Sequence, residues 1–209
     1  MSSYTLRFIK YLLGFRGAET GYTDAELEFL ALLALRKKCI VKFGVEEGVD
    51  SKVFCQNMEC NGKLYIVDPF HHFARLEKIL NFSFAKFIAK QCVKDYGNLV
   101  QFVKMTSLEA SKSLDLDRKV DLVFINHRHD YESVLEDFRS WALMLSNEGI
   151  MAFPYSRICK NRPYLNYCSG ALILCNEIAR GEHGNWKVVD TLEWITVISA
   201  GSSREDAII

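Results

Sequence analysis

The sequence has no excess of charge of either sign. Its 26 Lys and Arg balance 26 Asp and Glu, so there is no global field to draw nucleic acid or anionic lipid, and a small neutral or mixed-charge ligand becomes the expectation. It also lacks internal repeats, low-complexity tracts and any linker-like stretch, which excludes a string of modules; a single domain over residues 1–209 is expected. No run approaches the roughly 20 apolar residues that a bilayer-spanning helix needs, so stable membrane insertion is not expected. The N-terminal stretch YTLRFIKYLLGF is interrupted by Arg7 and Lys10 and is followed by no small-residue cleavage site, so it reads as a short amphipathic helix, with peripheral membrane contact its only membrane role. The seven cysteines are odd in number and form neither a CxxC pair nor a Cys/His ligand spacing. That excludes a disulfide framework and a zinc site and leaves reduced thiols, as in a cytoplasmic protein. Cys39 and Cys175 lie in apolar runs and read as small buried hydrophobes.

What is present is enough apolar sequence, 49% of the chain, to build a full core beneath a solvated surface. Thr23 followed by Glu26 forms a capping-box pattern, and Leu27, Leu30, Ala31 and Ala34 recur at the spacing of one helix face, predicting a helix before the first strand. CIVKF (39–43), KLYIV (63–67), LVQFV (99–103), VDLVFI (120–125) and GIMAF (149–153) then read as strands. Between them lie helical stretches near 50–58, 71–93, 107–114 and 131–145. Strict alternation of strand and helix predicts an α/β fold with a mainly parallel sheet, because parallel neighbours need crossovers and helices then cover both faces. A helix around 169–180 follows a loop near 154–167, and WKVVD and LEWITVI, closely spaced across Thr191, predict an antiparallel hairpin at one sheet edge. The expected architecture is Rossmann-like and doubly wound with seven strands: N-terminal helices over 1–35, a core over 36–199 and a frayed tail over 200–209.

In such a sheet ligands bind beyond the carboxyl ends of the strands, so the loops there carry the functional information. After CIVKF, GVEEGVDS offers Gly44 and Gly48 for a tight turn and close backbone approach, and the helix that follows offers free amides. An ordinary glycine-containing turn is the competing reading. Glu46 and Glu47 stand where a pyrophosphate would approach and would repel it. They suit S-adenosylmethionine, which has no phosphate and carries sulfonium and ammonium charges, better than NAD. Asp68 ends KLYIV near the distance at which Rossmann-like domains place an acid on the ribose hydroxyls; alternatively it caps the next helix, with Pro69 at the first position.

The segments IVKFGVEEGVDS, LYIVDPF, VKMTSLEA and VDLVFINHRHDYESVLEDFRSWALMLSNEGIMAF together resemble the class I S-adenosylmethionine-dependent methyltransferases of small-molecule O-methyltransferase type. The motifs of that family read approximately IVEIGVxEGxST, VxxIDPF, xxGxSxE and hDLhFIDGxHxYExVxxDhxxWxxhLxxGGhhhhHD. The resemblance runs in order over about 24–200. It implies that Gly44, Val45, Glu46, Gly48 and Ser51 line the methionine end of the cofactor. Asp68 would hold the ribose, Pro69 and Phe70 flank the adenosine, and Thr106, Ser107 and Leu108 approach the adenine. Asn126, His127 and His129 would face the transferred methyl, with His129 the candidate base, while Tyr131 and Asp137 orient the following helix. For the cluster 126–130 a solvated turn or helix cap is the competing reading. His71 and His72 read as surface or adenine-side residues, and Trp141, Trp186 and Trp194 as packing.

The departures point the other way. Lys42 stands where the family commonly has an acid, and a lysine 4 Å from the cofactor ammonium would cost roughly 4 kcal/mol at an effective dielectric of about 20. Lys42 either faces that ammonium, points away, or pairs with Glu46 or Glu47. Asn126 and Pro154-Tyr155 replace residues that ligate metal in metal-dependent relatives, so no metal is expected. Tyr155, Arg157, Lys160 and Arg162 fall where such domains build a substrate lid. The expected activity is methyl transfer to a small-molecule hydroxyl or amine, without nucleic acid, in a chain that can also form a homo-oligomer. The alternative is a catalytically degenerate protein that keeps the fold as a binding or partner subunit.

Overall fold

The computed structural model describes residues 3–116, 118–126, 130–159 and 169–201. His127, Arg128 and His129, Lys160 and Arg162, Cys168 and the tail from 202 onward lie outside the described residues.

Two helices, α1 (Ser3–Leu12) and α2 (Asp24–Ala34), precede the sheet. α2 starts where its capping box predicts: the Glu26 amide donates to the Thr23 hydroxyl at 3.3 Å and the Thr23 amide to the Glu26 carboxylate at 2.7 Å. Strands β1 (Cys39–Phe43), β2 (Lys63–Val67), β3 (Val100–Val103), β4 (Val120–Ile125), β5 (Leu145–Phe153), β6 (Trp186–Leu192) and β7 (Ile195–Ala200) form one seven-stranded sheet in the order β3-β2-β1-β4-β5-β7-β6. β1 pairs in parallel with both β2 and β4, whereas β7 runs antiparallel to β5 and to β6. The crossovers carry α3 (Val49–Asn57), α4 (Arg75–Leu80), α5 (Phe84–Cys92), α6 (Ser107–Ser113) and α7 (Tyr131–Ala142), and α8 (Ser169–Ala179) precedes the edge hairpin. This is the doubly wound Rossmann-like α/β sheet with an antiparallel edge.

Side-chain alternation along the strands makes two cores. Ile40, Leu64, Ile66, Leu122 and Phe124 pack with Leu30 and Leu33 of α2 and Phe54 of α3. Val41, Phe43, Val123, Ile125 and Met151 pack on the other face with Trp141 and Phe138 of α7 and Leu174 of α8. Lys42 follows Ile40 by two residues and so takes a core position on the α2–α3 side, where it is fully buried. The three tryptophans are buried, as expected of packing residues, and so are Cys39 and Cys175.

Three boundaries differ from expectation. The helix expected over 71–93 is two helices, because Asn81 adopts a left-handed conformation (φ 48°) that ends α4 and Ser83 caps α5. β5 begins at Leu145 rather than 149: Leu145 pairs with Val120, the register then shifts, and α7 stops at Ala142. The hairpin turns at Glu193 and Trp194, not at Thr191, because Glu193 supplies the positive φ (50°) of a tight turn and Thr191 pairs with Thr196.

Candidate functional site

Strand order reverses between β1 and β4, so the crevice beyond their carboxyl ends is where a ligand belongs. Gly44 leaves β1 there with φ 82°, and a Cβ at this position would lie 2.4 Å from the backbone oxygen of Asn126, which leaves β4 beside it. Glycine is therefore required twice over, by conformation and by close approach. Gly48 begins α3 with φ 83°, and its Cβ would meet Ala89 of α5 at 2.8 Å.

Asp68, at the end of β2, joins these loops. One carboxylate oxygen accepts from the Val45 amide at 2.9 Å and the other from the Phe70 amide. α4 begins only at Arg75, so Asp68 and Pro69 do not cap it, which removes the alternative reading of this acid. Phe70 turns through a positive φ (54°), is buried, and receives the Lys86 ammonium 3.8 Å from its ring centre.

A cavity of about 650 Å³ opens between these loops, the N-terminal segment and α5. Gly44, Val45, Glu46 and Asp68 line it, together with Glu47. Arg7, Arg16 and Glu19 join them, with an aromatic wall of Tyr4, Phe8, Phe73 and Phe84, none of which local sequence pattern pointed to. Arg16 grips Glu47 with two bonds, 2.7 and 2.8 Å, and the Glu19 amide donates to the same carboxylate at 2.7 Å. Arg7 holds Glu19 at 2.6 Å. The N-terminal segment is thereby fastened across the cavity by the Gly44–Glu47 loop.

Other expected site residues stand apart from the cavity lining. Ser51 is fully buried and its amide and hydroxyl turn to Asp50. Thr106 caps α6, accepting from the Glu109 amide at 3.2 Å, and the Ser107 hydroxyl donates to Asp137 of α7. Leu108 lies half-buried in the first turn of α6. Tyr131 donates to Glu177 of α8 at 2.6 Å, so it ties α7 to its neighbour.

Lys42 pairs with neither Glu46 nor Glu47. Its ammonium lies 3.1 Å from the Asp50 carboxylate and donates to the Gly44 carbonyl. Asn126 also donates to Asp50, at 3.5 Å, while its own Oδ1 is buried with no hydrogen-bond partner among the described residues. Burial, and then the neighbouring Asp50 charge, push the Glu46 carboxyl above the usual carboxylate range, and Lys42 and Asn126 pull it part of the way back. The site is thus a cavity rich in carboxylates, resting on a buried ion pair. Among the described residues no three His, Cys, Asp or Glu side chains converge as a metal centre.

Residues 41–153, more than half of the chain and spanning β1 to β5, match the family model described as a methyltransferase domain. The chain belongs to this methyltransferase-domain family. Among solved structures it is similar to a Corynebacterium glutamicum protein, 14% identical, with a TM-score of 0.66 over 98% of this chain and 93% of that one. It is similar to the O-methyltransferase TomG from Streptomyces achromogenes, solved with S-adenosylmethionine: 15% identical, TM-score 0.63, 96% and 90% covered. A Bacillus cereus O-methyltransferase solved with S-adenosylhomocysteine is 11% identical, with a TM-score of 0.59 and 95% and 91% covered. At these identities the likeness is one of fold. No curated protein matches the sequence.

Proposed function

We propose that this methyltransferase-family chain binds S-adenosylmethionine in the cavity at the carboxyl ends of β1 and β2 and methylates a hydroxyl or amine of a small molecule. The observation that carries the reading is Asp68, a strand-end carboxylate on the cavity wall, held in place by the Val45 and Phe70 amides. Each of its oxygens keeps a second lone pair for a ribose hydroxyl.

The cavity's own chemistry fits the cofactor. Its lining carries Glu19, Glu46, Glu47, Asp68 and Glu77 against Arg7 and Arg16, an acidic balance that suits a ligand with sulfonium and ammonium charges and opposes a pyrophosphate. Arg7 and Arg16 are the cations on the lining, each already paired with a carboxylate of the protein, Glu19 and Glu47. Lys42 poses no obstacle to the ammonium, since Asp50 neutralises it. Gly44 keeps the loop backbone free of side chain beside Asn126. In this proposal Glu46 faces the positive end of the cofactor, Asp68 the ribose, and Pro69 and Phe70 the adenosine, with Gly48, Ser51 and the 106–108 turn shaping the loops around it. When bound, the cofactor supplies an electrophilic methyl group that passes in line to the acceptor oxygen or nitrogen. His129, directly C-terminal to this β4 end in the chain, is proposed to take the acceptor's proton, as an imidazole of pKa near roughly 6.5 can.

A second reading, a fold kept without catalysis, draws on the Lys42–Asp50 pair and on Glu47 being already occupied by Arg16. Calorimetric titration with S-adenosylmethionine and S-adenosylhomocysteine separates the two. Micromolar binding that Asp68→Ala abolishes is the expected result. A wild-type protein that melts cooperatively yet takes up neither compound would overturn the cofactor proposal in favour of the second reading.

A further inference from the structure

α4 is built the wrong way round for a helix on a water-soluble surface. Its sequence is RLEKIL, and the one residue it buries is the acid. Glu77 accepts the amides of Phe73 at 2.8 Å, Ala74 at 2.7 Å and Phe84 at 2.7 Å, which fixes the helix with its carboxylate inward. Its apolar side chains therefore point outward: Ile79 is 69% exposed and Leu80 58%. Beside them Phe73, 68% exposed, stacks on Tyr4 of α1 at 6.0 Å, and Phe8 of α1 stacks on Phe84 at 4.1 Å, so α1 and the α4 region form one body. A cluster of large apolar groups held in water by buried hydrogen bonds marks a surface that something covers.

Charge identifies the covering surface. The chain as a whole is neutral, but α1 and α4 carry Arg7, Lys10, Arg75 and Lys78 and no acid except the buried Glu77. Arg7 is engaged by Glu19, whereas Lys10, Arg75 and Lys78 are exposed with no ion-pair partner among the described residues. A second copy of this chain docking through the same face would bring these cations against one another, as a two-fold interface requires. A lipid headgroup layer of negative charge is complementary to them, and exposed Leu, Ile and Phe interleaved with Lys and Arg are what enters the headgroup–acyl boundary.

We propose that the α1–α4 face docks the protein on an anionic membrane surface, with Phe73, Ile79 and Leu80 entering the interface and Lys10, Arg75 and Lys78 meeting the headgroups. No described helix is long and apolar enough to cross a membrane, so the attachment is peripheral and reversible. Tyr4 and Phe73 also line the cavity, which places its rim on the docked face.

Sedimentation of the full chain with vesicles of phosphatidylcholine alone, or of phosphatidylcholine mixed with phosphatidylglycerol, tests this. Binding to the mixed vesicles and not to the neutral ones is expected. It should weaken by about fivefold for each cation removed in Lys10→Gln and Lys78→Gln, and be lost in the double variant Ile79→Ser/Leu80→Ser. These side chains are exposed, so the thermal melt of each variant should match the wild type. Three results would overturn the proposal: no binding to anionic vesicles, equal binding to both kinds, or a dimer in analytical ultracentrifugation that the Ile79→Ser/Leu80→Ser variant dissociates while vesicle binding is absent.

Discussion

The Lys42 ammonium lies 3.1 Å from the Asp50 carboxylate, and both side chains are almost wholly withdrawn from solvent. The pair stands directly under the loop that shapes the cavity, since Lys42 also donates to the Gly44 carbonyl. Lys42, which the sequence left without an assigned partner, thus has its counter-charge on α3.

Removing one partner should be far worse than removing both. Lys42→Met leaves Asp50 buried beside the partly buried Glu46 and should lower stability by about 3–5 kcal/mol. Lys42→Met/Asp50→Leu should return most of that loss, because two uncharged side chains have no desolvation cost to offset. Lys42→Glu alone should be the most damaging of the series, whereas Lys42→Glu/Asp50→Ser should fold. Urea denaturation of the set provides the check; equal losses for the single and double methionine variants would show that the pair has no energetic coupling.

Gly44→Ala places a Cβ 2.4 Å from the Asn126 carbonyl oxygen and holds alanine at φ 82°. The left-handed conformation alone costs about 1–2 kcal/mol, and the clash is with backbone that cannot rotate away. A loss of at least about 2 kcal/mol is expected, with weakened cofactor uptake because β1 and β4 are forced apart at the cavity. Gly21→Ala serves as the control, since its Cβ would meet nothing within 4 Å. Comparable melting temperatures for the two variants would refute the close-approach argument.

The strands at 39–43, 63–67 and 120–125 were legible because central parallel strands bury both faces and so read as uninterrupted apolar runs. The loops that carry Gly44, Asp68 and Asn126 begin where those runs end. Lys42 was visible as an anomaly but its partner was not: Asp50 lies in the turn of a different element, and only the packing of α3 on β1 brings it near. Arg7 and Arg16 left no signal, because they reach Glu47 across 40 and 31 positions and no local pattern encodes such a contact. The break between α4 and α5 was written in Asn81 and Ser83, yet the apolar residues on either side concealed it by keeping a helical spacing.

Glu46 sets a pH dependence. Burial and the Asp50 charge raise its carboxyl above the ordinary value, so between that value and the raised one the folded protein holds a proton that the unfolded chain releases. In that window the unfolded state binds fewer protons, and stability falls as pH rises until Glu46 ionises in the folded protein as well. Glu46→Gln should flatten this slope and stabilise the protein above it. Binding of a cationic cofactor should change in the opposite sense, strengthening in the wild type as Glu46 ionises and losing that trend in the variant. Chemical denaturation and cofactor titration from pH 5 to 8 read both effects, and an unchanged slope in Glu46→Gln would assign the pH dependence to another group.

The grip of Arg16 on Glu47 decides whether the N-terminal segment is a fixed wall of the cavity or a cover that opens. The bridge is two-pronged and largely sheltered, with side-chain exposures of 10% and 15%, so screening by water is limited and about 1.5–3 kcal/mol of local stability is at stake. The Arg7–Glu19 pair, half-exposed on both sides, should add little. Arg16→Ala should therefore free residues 3–21 from the Gly44–Glu47 loop while α2 and the sheet, which have their own core, stay folded. Limited proteolysis should cut the N-terminal segment at least about tenfold faster in Arg16→Ala, with the unfolding midpoint of the remainder little changed, and Arg7→Ala should behave nearly as the wild type. If the cover must open to admit ligand, cofactor association should quicken in Arg16→Ala even as its residence shortens. An unaltered cutting rate would mean that the aromatic contacts of Phe8 with Phe84 and Tyr4 with Phe73, rather than the ion pair, hold the segment down.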